Sequence, residues 1–290
     1  MRLKKFNPAN IRVRNRSGGS GSLPVGRGKL GLGTIVIVII AALFFGVDPG
    51  QMLGKVGSMQ GADVPSATTT GSRDPAEICE QNAYALESCN ALSSLNETWS
   101  PLFQQTDIHF DQPTLNFYQG GTRSGCGSAA SSMGPFYCPA DQGIYIDTSF
   151  YDEMIHKLGA GGDFARYYVM AHEYGHHVQA LTGLAGQLRK AQQQNPSRAN
   201  ELQVRMELQA DCYAGVWAGR NRALIEAGDM EEGLRAASAI GDDTLQRRAG
   251  KAVNPESFTH GSSAQRMNWL QRGLKSGDEQ ACDTFADLRR

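Results

Sequence analysis

Two histidines and a glutamate in the run VMAHEYGHHV, residues 169–178, have the types and spacing for metal-assisted hydrolysis. His172 and His176 stand four apart, so on a helix both imidazoles leave one face and can hold a single metal ion. Glu173 falls beside that metal rather than on it. A carboxylate there can take a proton from water whose pKa a zinc ion has brought toward about 7. His177 is turned about 100° from His176 on the same helix and reads as structural or surface, not as a ligand. Two imidazoles need a third donor. A continuation with glycine at 179 and histidine at 182 is absent, because those positions are Gln179 and Thr182. The other arrangement places a glutamate on a later helix, and ELQAD at 207–211 offers it. Glu207 is then the third ligand, and Asp211, on the same helix face, accepts a hydrogen bond from a ligand imidazole and fixes its tautomer.

One more histidine is placed for chemistry. His260, in FTHGSSAQR at 258–266, sits on a glycine-hinged turn before a helix that Ser262 or Ser263 can cap. It is a candidate donor to the oxyanion that forms during acyl transfer, with Arg266 as the fallback donor. A structural histidine at a helix start is the competing reading.

The elements that must position these groups are legible from periodicity. A proline-free helix runs over 164–182, with Asp163 as its N-cap and Gly183 beyond its end. A second begins after Pro196, with Ser197 able to cap it, and carries residues 205–217. Upstream, apolar spacing predicts a helix over 78–92. Strands are expected at 114–118, 134–138 and 143–147, the last two joined as a hairpin through 139–142. The fold class is α+β: mostly helical, with a small sheet before the motif helix, in one domain over residues 76–290.

The six cysteines show no CxxC spacing and allow 15 full pairings. Cys126 and Cys138 flank a short loop, Cys79 and Cys89 a short helical stretch, and that leaves Cys212 with Cys282. Structural bridges of this kind suit an exported domain.

The net charge of −1 conceals a division. Residues 1–47 carry eight basic side chains and no acid, whereas the rest holds 20 basic and 29 acidic ones. The basic stretch runs into LGLGTIVIVIIAALFFGV at residues 30–47, uncharged and, as a helix, about 27 Å long. This predicts a cytoplasmic tail (1–29), one transmembrane anchor (30–47), a Gly/Ser/Thr/Pro-rich linker (48–75) and an exported domain, with the N-terminus inside the bacterial cytoplasmic membrane. A cleaved signal peptide is the alternative, but no small-x-small site follows the apolar run. Nucleic acid is excluded as a partner by the acidic domain.

Several long motifs together resemble one family. They are LGTI at 32–35 and FFGVDP at 44–49, CGSAASSMGPFYCPADQ at 126–142, AHEYGHHVQ at 171–179, ELQADCYAGVW at 207–217, ASAIGDD at 237–243 and HGSSAQR at 260–266. The chain resembles the "putative neutral zinc metallopeptidase" family of bacteria, membrane-anchored zincins, with a looser fit over 50–105. The resemblance implies a zincin fold, one Zn2+ held by His172, His176 and Glu207, and Glu173 as catalytic base. The expected function is a zinc-dependent peptidase acting on peptide or protein substrates outside the cytoplasmic membrane. The rival is an exported binding or assembly protein whose metal site is structural or vestigial. A fourth protein ligand would favour the rival, and the presence of Glu173 disfavours it.

Overall fold

The computed structural model describes residues 1–16 and 74–286. The expected anchor (30–47) lies outside them, as does all but the end of the expected linker (48–75). Among the described residues no helix is long and apolar enough to cross a membrane.

The strands are β1 (Arg12–Asn15), β2 (Thr114–Tyr118), β3 (Gly121–Ser124), β4 (Gly127–Ala130), β5 (Phe136–Cys138) and β6 (Gly143–Asp147). Four of them form one sheet in the order β1-β2-β6-β5, and β3 with β4 makes a separate hairpin. The expected β5–β6 hairpin is present, antiparallel with Tyr137 opposite Ile144. β2 runs parallel to β6, with Leu115 opposite Ile144. Strand β6 is buried along its whole length, so this small sheet is a core element.

β1 corrects the expected division of the chain. Its residues pair in parallel with β2, Arg12 opposite Thr114 through Asn15 opposite Phe117. Met1, Phe6 and Ile11 are buried in the main core. The basic side chains that read as a tail meet acids of the body: Arg2 with Glu226, Lys5 with Glu80, and Arg12 with Asp111 at 2.7 Å. The amino group of Met1 contacts Asp229 at 2.8 Å and Asp163 at 3.1 Å. Residues 1–16 therefore belong to the same body as the domain. The physical reason is twofold: β2 has an open edge to fill, and an acidic surface receives the basic arm.

The helices are α1 (Pro75–Cys79), α2 (Ala83–Phe103), α3 (Ser149–His156), α4 (Asp163–Leu181), α5 (Leu184–Gln194), α6 (Ala199–Arg220), α7 (Asp229–Ala239), α8 (Asp242–Arg248) and α9 (Ser263–Ser276). The helix expected over 78–92 is split in two, because Asn82 caps α2 by accepting from the Ala85 N–H. Asp163 is not the N-cap of α4. Gly162 holds that place at φ +114°, and the Phe164 N–H is taken by Glu232 of α7 instead. Ser262 caps α9 as expected. Helix α6 begins after a short 3-10 turn at Pro196–Arg198, so Ser197 does not cap it.

Two close crossings set the site. A Cβ on Gly175 of α4 would stand 2.9 Å from the Ala210 Cα, so α4 and α6 meet backbone to backbone. On the other side of α6, a Cβ on Gly273 of α9 would overlap the Cys212 carbonyl oxygen. Three disulfides lock the body: Cys79–Cys89, Cys126–Cys138 and Cys212–Cys282.

Candidate metal centre

Helix α4 carries His172 and His176 on the face turned to α6, and the Gly175–Ala210 contact brings Glu207 against them. Glu207 Oε2 lies 3.2 Å from His172 Nε2 and 3.5 Å from His176 Nε2. Donors bound tetrahedrally to zinc at about 2.0–2.1 Å stand roughly 3.3 Å apart. The three side chains therefore fit a zinc ion without rearrangement, and the donor set, two imidazoles and a carboxylate, suits that metal. Burial alone would lower both imidazoles, but Asp211 and Glu207 outweigh it, raising His172 to about 9 and His176 above its ordinary value. The cluster is built to hold positive charge.

Each ligand is oriented from outside. His172 Nδ1 is 2.8 Å from Asp211 Oδ1, as expected of Asp211. His176 Nδ1 is 2.8 Å from Gln179 Oε1. Glu207 Oε1 accepts from Gln203 Nε2 at 2.8 Å, which leaves Oε2 for the metal. The two glutamines escaped the sequence reading, because a neutral amide carries no charge signal; their positions four before Glu207 and three after His176 were the available clue.

Asp211 is fully buried and carries more than one load. It accepts from Tyr168 Oη at 2.6 Å and from a two-pronged Arg266 guanidinium at 2.8 and 2.9 Å. Burial would raise its carboxyl, but Arg266 and His172 hold it down at about 2. Arg266 is 2% exposed and lies behind Asp211, with its remaining contacts to Tyr168 Oη, the Ile240 carbonyl and His172 Nδ1 at 3.3 Å. The structure thus uses Arg266 as a counter-charge to Asp211, not as a group facing substrate.

Glu173 is buried beside the cluster, and burial raises its carboxyl above the ordinary value. Among the described residues no group hydrogen-bonds this carboxylate, so its oxygens are free to meet water. His177 is fully buried: its Nε2–H donates to the Asp111 carbonyl at 2.7 Å and its Nδ1 accepts from Tyr137 Oη at 3.1 Å. It pins α4 to β5, and burial lowers it to about 4.

His260 sits on the turn before α9, where Gly261 takes φ +91° and lies against Val204 and Leu208, on α6 either side of Glu207. Its Nδ1 is 3.1 Å from Asp242 Oδ1. The other oxygen of Asp242 accepts the backbone N–H groups of Thr259, His260 and Gly261 at 2.7, 2.7 and 3.0 Å. Asp242, also missed in the sequence, therefore sets both the turn and the imbalance of the ring: Nδ1 is engaged, and Nε2 has no partner among the described residues. The only sequence signal was an acidic pair opening a short helix.

A family model described as "Putative neutral zinc metallopeptidase" matches residues 4–285. The uncharacterized protein YpfJ of Escherichia coli (strain K12) is 46% identical over 281 residues, covering 94% of this chain and 93% of the relative. The uncharacterized protein Rv2575 of Mycobacterium tuberculosis (strain ATCC 25618 / H37Rv) is 38% identical over 265 residues, or 85% of this chain and 86% of the relative. No solved structure matches. With the match running from β1's arm to the last bridge and across the whole site, the chain belongs to the "putative neutral zinc metallopeptidase" family.

Proposed function

We propose that the protein is a zinc-dependent peptidase that hydrolyses peptide bonds of peptide or protein substrates outside the cytoplasm. The observation that carries this is Glu173, a buried carboxylate with no hydrogen-bond partner among the described residues, beside a three-donor cluster. A structural metal site needs no such base, and it would be closed by a fourth protein ligand. Among the described residues only His172, His176 and Glu207 gather there. This weighs against the binding or assembly reading.

When bound, a zinc ion supplies Lewis-acid polarisation of the scissile carbonyl and lowers the pKa of a water toward about 7. Glu173 takes the proton of the attacking water and passes it to the leaving amine; burial brings its pKa nearer the working pH. His260, held at Nδ1 by Asp242, turns its Nε2 to the developing oxyanion as the candidate donor. Strand β5 has no strand on its outer side in the described sheet, and Tyr137 ties it to α4. An extended substrate can add there as a further strand.

Three disulfides support an oxidising compartment, and the apolar run at 30–47 supports attachment to the membrane. Because β1 and β2 share one sheet, the arm at 1–16 lies on the same face as the domain. A tail kept across the bilayer from the domain is therefore not retained. The test of the function is Glu173→Gln: zinc content and fold unchanged, peptide-library turnover down by at least roughly 10²-fold. Wild-type turnover in that variant overturns the reading.

A further inference from the structure

Gln179 stands where α4 passes the metal cluster, and it is 0% exposed. Its amide orientation follows from chemistry. The Met206 carbonyl oxygen can only accept, and it lies 2.8 Å from one end of the Gln179 amide. That end is therefore the NH2 group, and the Oε1 end faces His176 Nδ1 at 2.8 Å. An amide oxygen can only accept, so His176 carries its proton on Nδ1 and presents the Nε2 lone pair to the cluster. The same reasoning applies one step on. Gln209 Nε2 is 3.1 Å from the Cys282 carbonyl, again an acceptor only, so Gln209 Oε1 is the atom that meets Gln179 Nε2 at 3.0 Å. Three hydrogen bonds run head to tail, each donating away from the cluster: His176 to Gln179, Gln179 to Gln209, Gln209 to Cys282. Bonds polarised in one direction strengthen one another in a buried setting. The relay ends on a residue that the Cys212 bridge fixes to α6, the helix that carries Glu207.

We infer that Gln179 is a positioning residue for the metal: it fixes the tautomer and ring angle of His176 and, through Gln209, ties that ring to the Cys212–Cys282 bridge. A carboxylate could fix the same tautomer, and Asp211 does so for His172, with Arg266 as its counter-charge. No cation faces Gln179 in its hydrogen bonds, and Glu173, Glu207 and Asp211 already bring negative charge to the site. The neutral amide orients the imidazole without adding to that charge. Gln179 also joins the two ligand helices directly, since Met206 immediately precedes Glu207.

The inference rests on the metal-centre reading, and the experiment separates the two. Zinc affinity of the full chain in detergent is measured by competition with a chromophoric chelator for wild type, Gln179→Leu and Gln209→Leu. The zinc-loaded proteins are also examined by NMR for the ring Nδ1 protons of His172 and His176. Gln179→Leu is expected to bind zinc roughly 10–100-fold more weakly, the scale for loss of an outer partner. It should lose the slowly exchanging His176 Nδ1 proton while keeping that of His172. Gln209→Leu, which leaves the contact to His176 in place, should weaken zinc about threefold or more, and it carries the test if Gln179→Leu does not fold. A purely structural Gln179 would lower the melting midpoint of the zinc-free protein without changing zinc affinity or the His176 proton. That pattern overturns the inference, as does wild-type affinity in Gln209→Leu. Failure of the wild-type chain to bind zinc at all would instead overturn the metal-centre reading.

Discussion

Replacing Arg266 by methionine keeps most of the side-chain volume and removes the charge. Asp211 then loses both guanidinium hydrogen bonds, at 2.8 and 2.9 Å, and is left fully buried with His172 and Tyr168 as its partners. Breaking a buried pair by removing one member costs about 3–5 kcal/mol, because the survivor's charge is uncompensated. The expected result for Arg266→Met is a loss of that size in urea unfolding followed by tryptophan fluorescence, with weaker zinc binding as His172 loses its fixed carboxylate. In the double variant Asp211→Asn/Arg266→Met neither charge remains, so it should regain about 2 kcal/mol or more relative to the sum of the single variants. The competing idea, Arg266 as a donor to the oxyanion, predicts another pattern. If Arg266→Met stays within about 1 kcal/mol of wild type and holds zinc fully while kcat falls by roughly 10²-fold, the counter-charge argument is wrong.

Three further outcomes are expected. His260→Ala should lower kcat by roughly 10²–10³-fold with zinc content and melting midpoint nearly unchanged; lower stability with normal turnover per folded molecule would make His260 structural. His177 titrates at about 4 when folded against an ordinary 6.5, so the unfolded chain binds the extra proton first and stability falls as pH drops from 6.5 to 4. The loss is about 3 kcal/mol, measured with excess chelator, and His177→Gln should remove that part of the pH slope; an unchanged slope refutes it. In the full chain, Arg12→Cys/Thr114→Cys should form a disulfide that non-reducing peptide mapping detects, since all six native cysteines are already bridged. No bridge, with the two new thiols labelled from opposite faces of the membrane, would refute the docked arm.

The parts of this protein that the sequence discloses are those whose signal is local. His172, Glu173 and His176 share one helix, Glu207 and Asp211 share another, and the structure brings the two sets together through a glycine that permits the crossing. The β5–β6 hairpin was legible because its strands flank a short turn. What escaped is non-local or uncharged. β1 pairs in parallel with a strand about 100 residues later, and its basic residues carry the same composition whether they face lipid headgroups or Glu226, Glu80 and Asp111. Asp242 reaches His260 only because α8 opens beside the turn before α9. Asp163 has the residue type of an N-cap, yet Glu232 from another helix takes over the capping of α4.

The first strand of the sheet has a consequence in time. During synthesis β1 emerges about 100 residues before β2, the strand it must join. At roughly 5–20 residues per second that is a wait of about 5–20 s. Through that interval the apolar residues of the arm that precedes it, Phe6 and Ile11, have nowhere to go, and the groove they fill is completed only when α2 and β2 have formed. Any neighbouring copy whose α2 and β2 have already formed offers an identical groove. The arm can therefore be traded between nascent chains at little cost, so a dimer recovered from cells should first be examined for exchanged β1 strands.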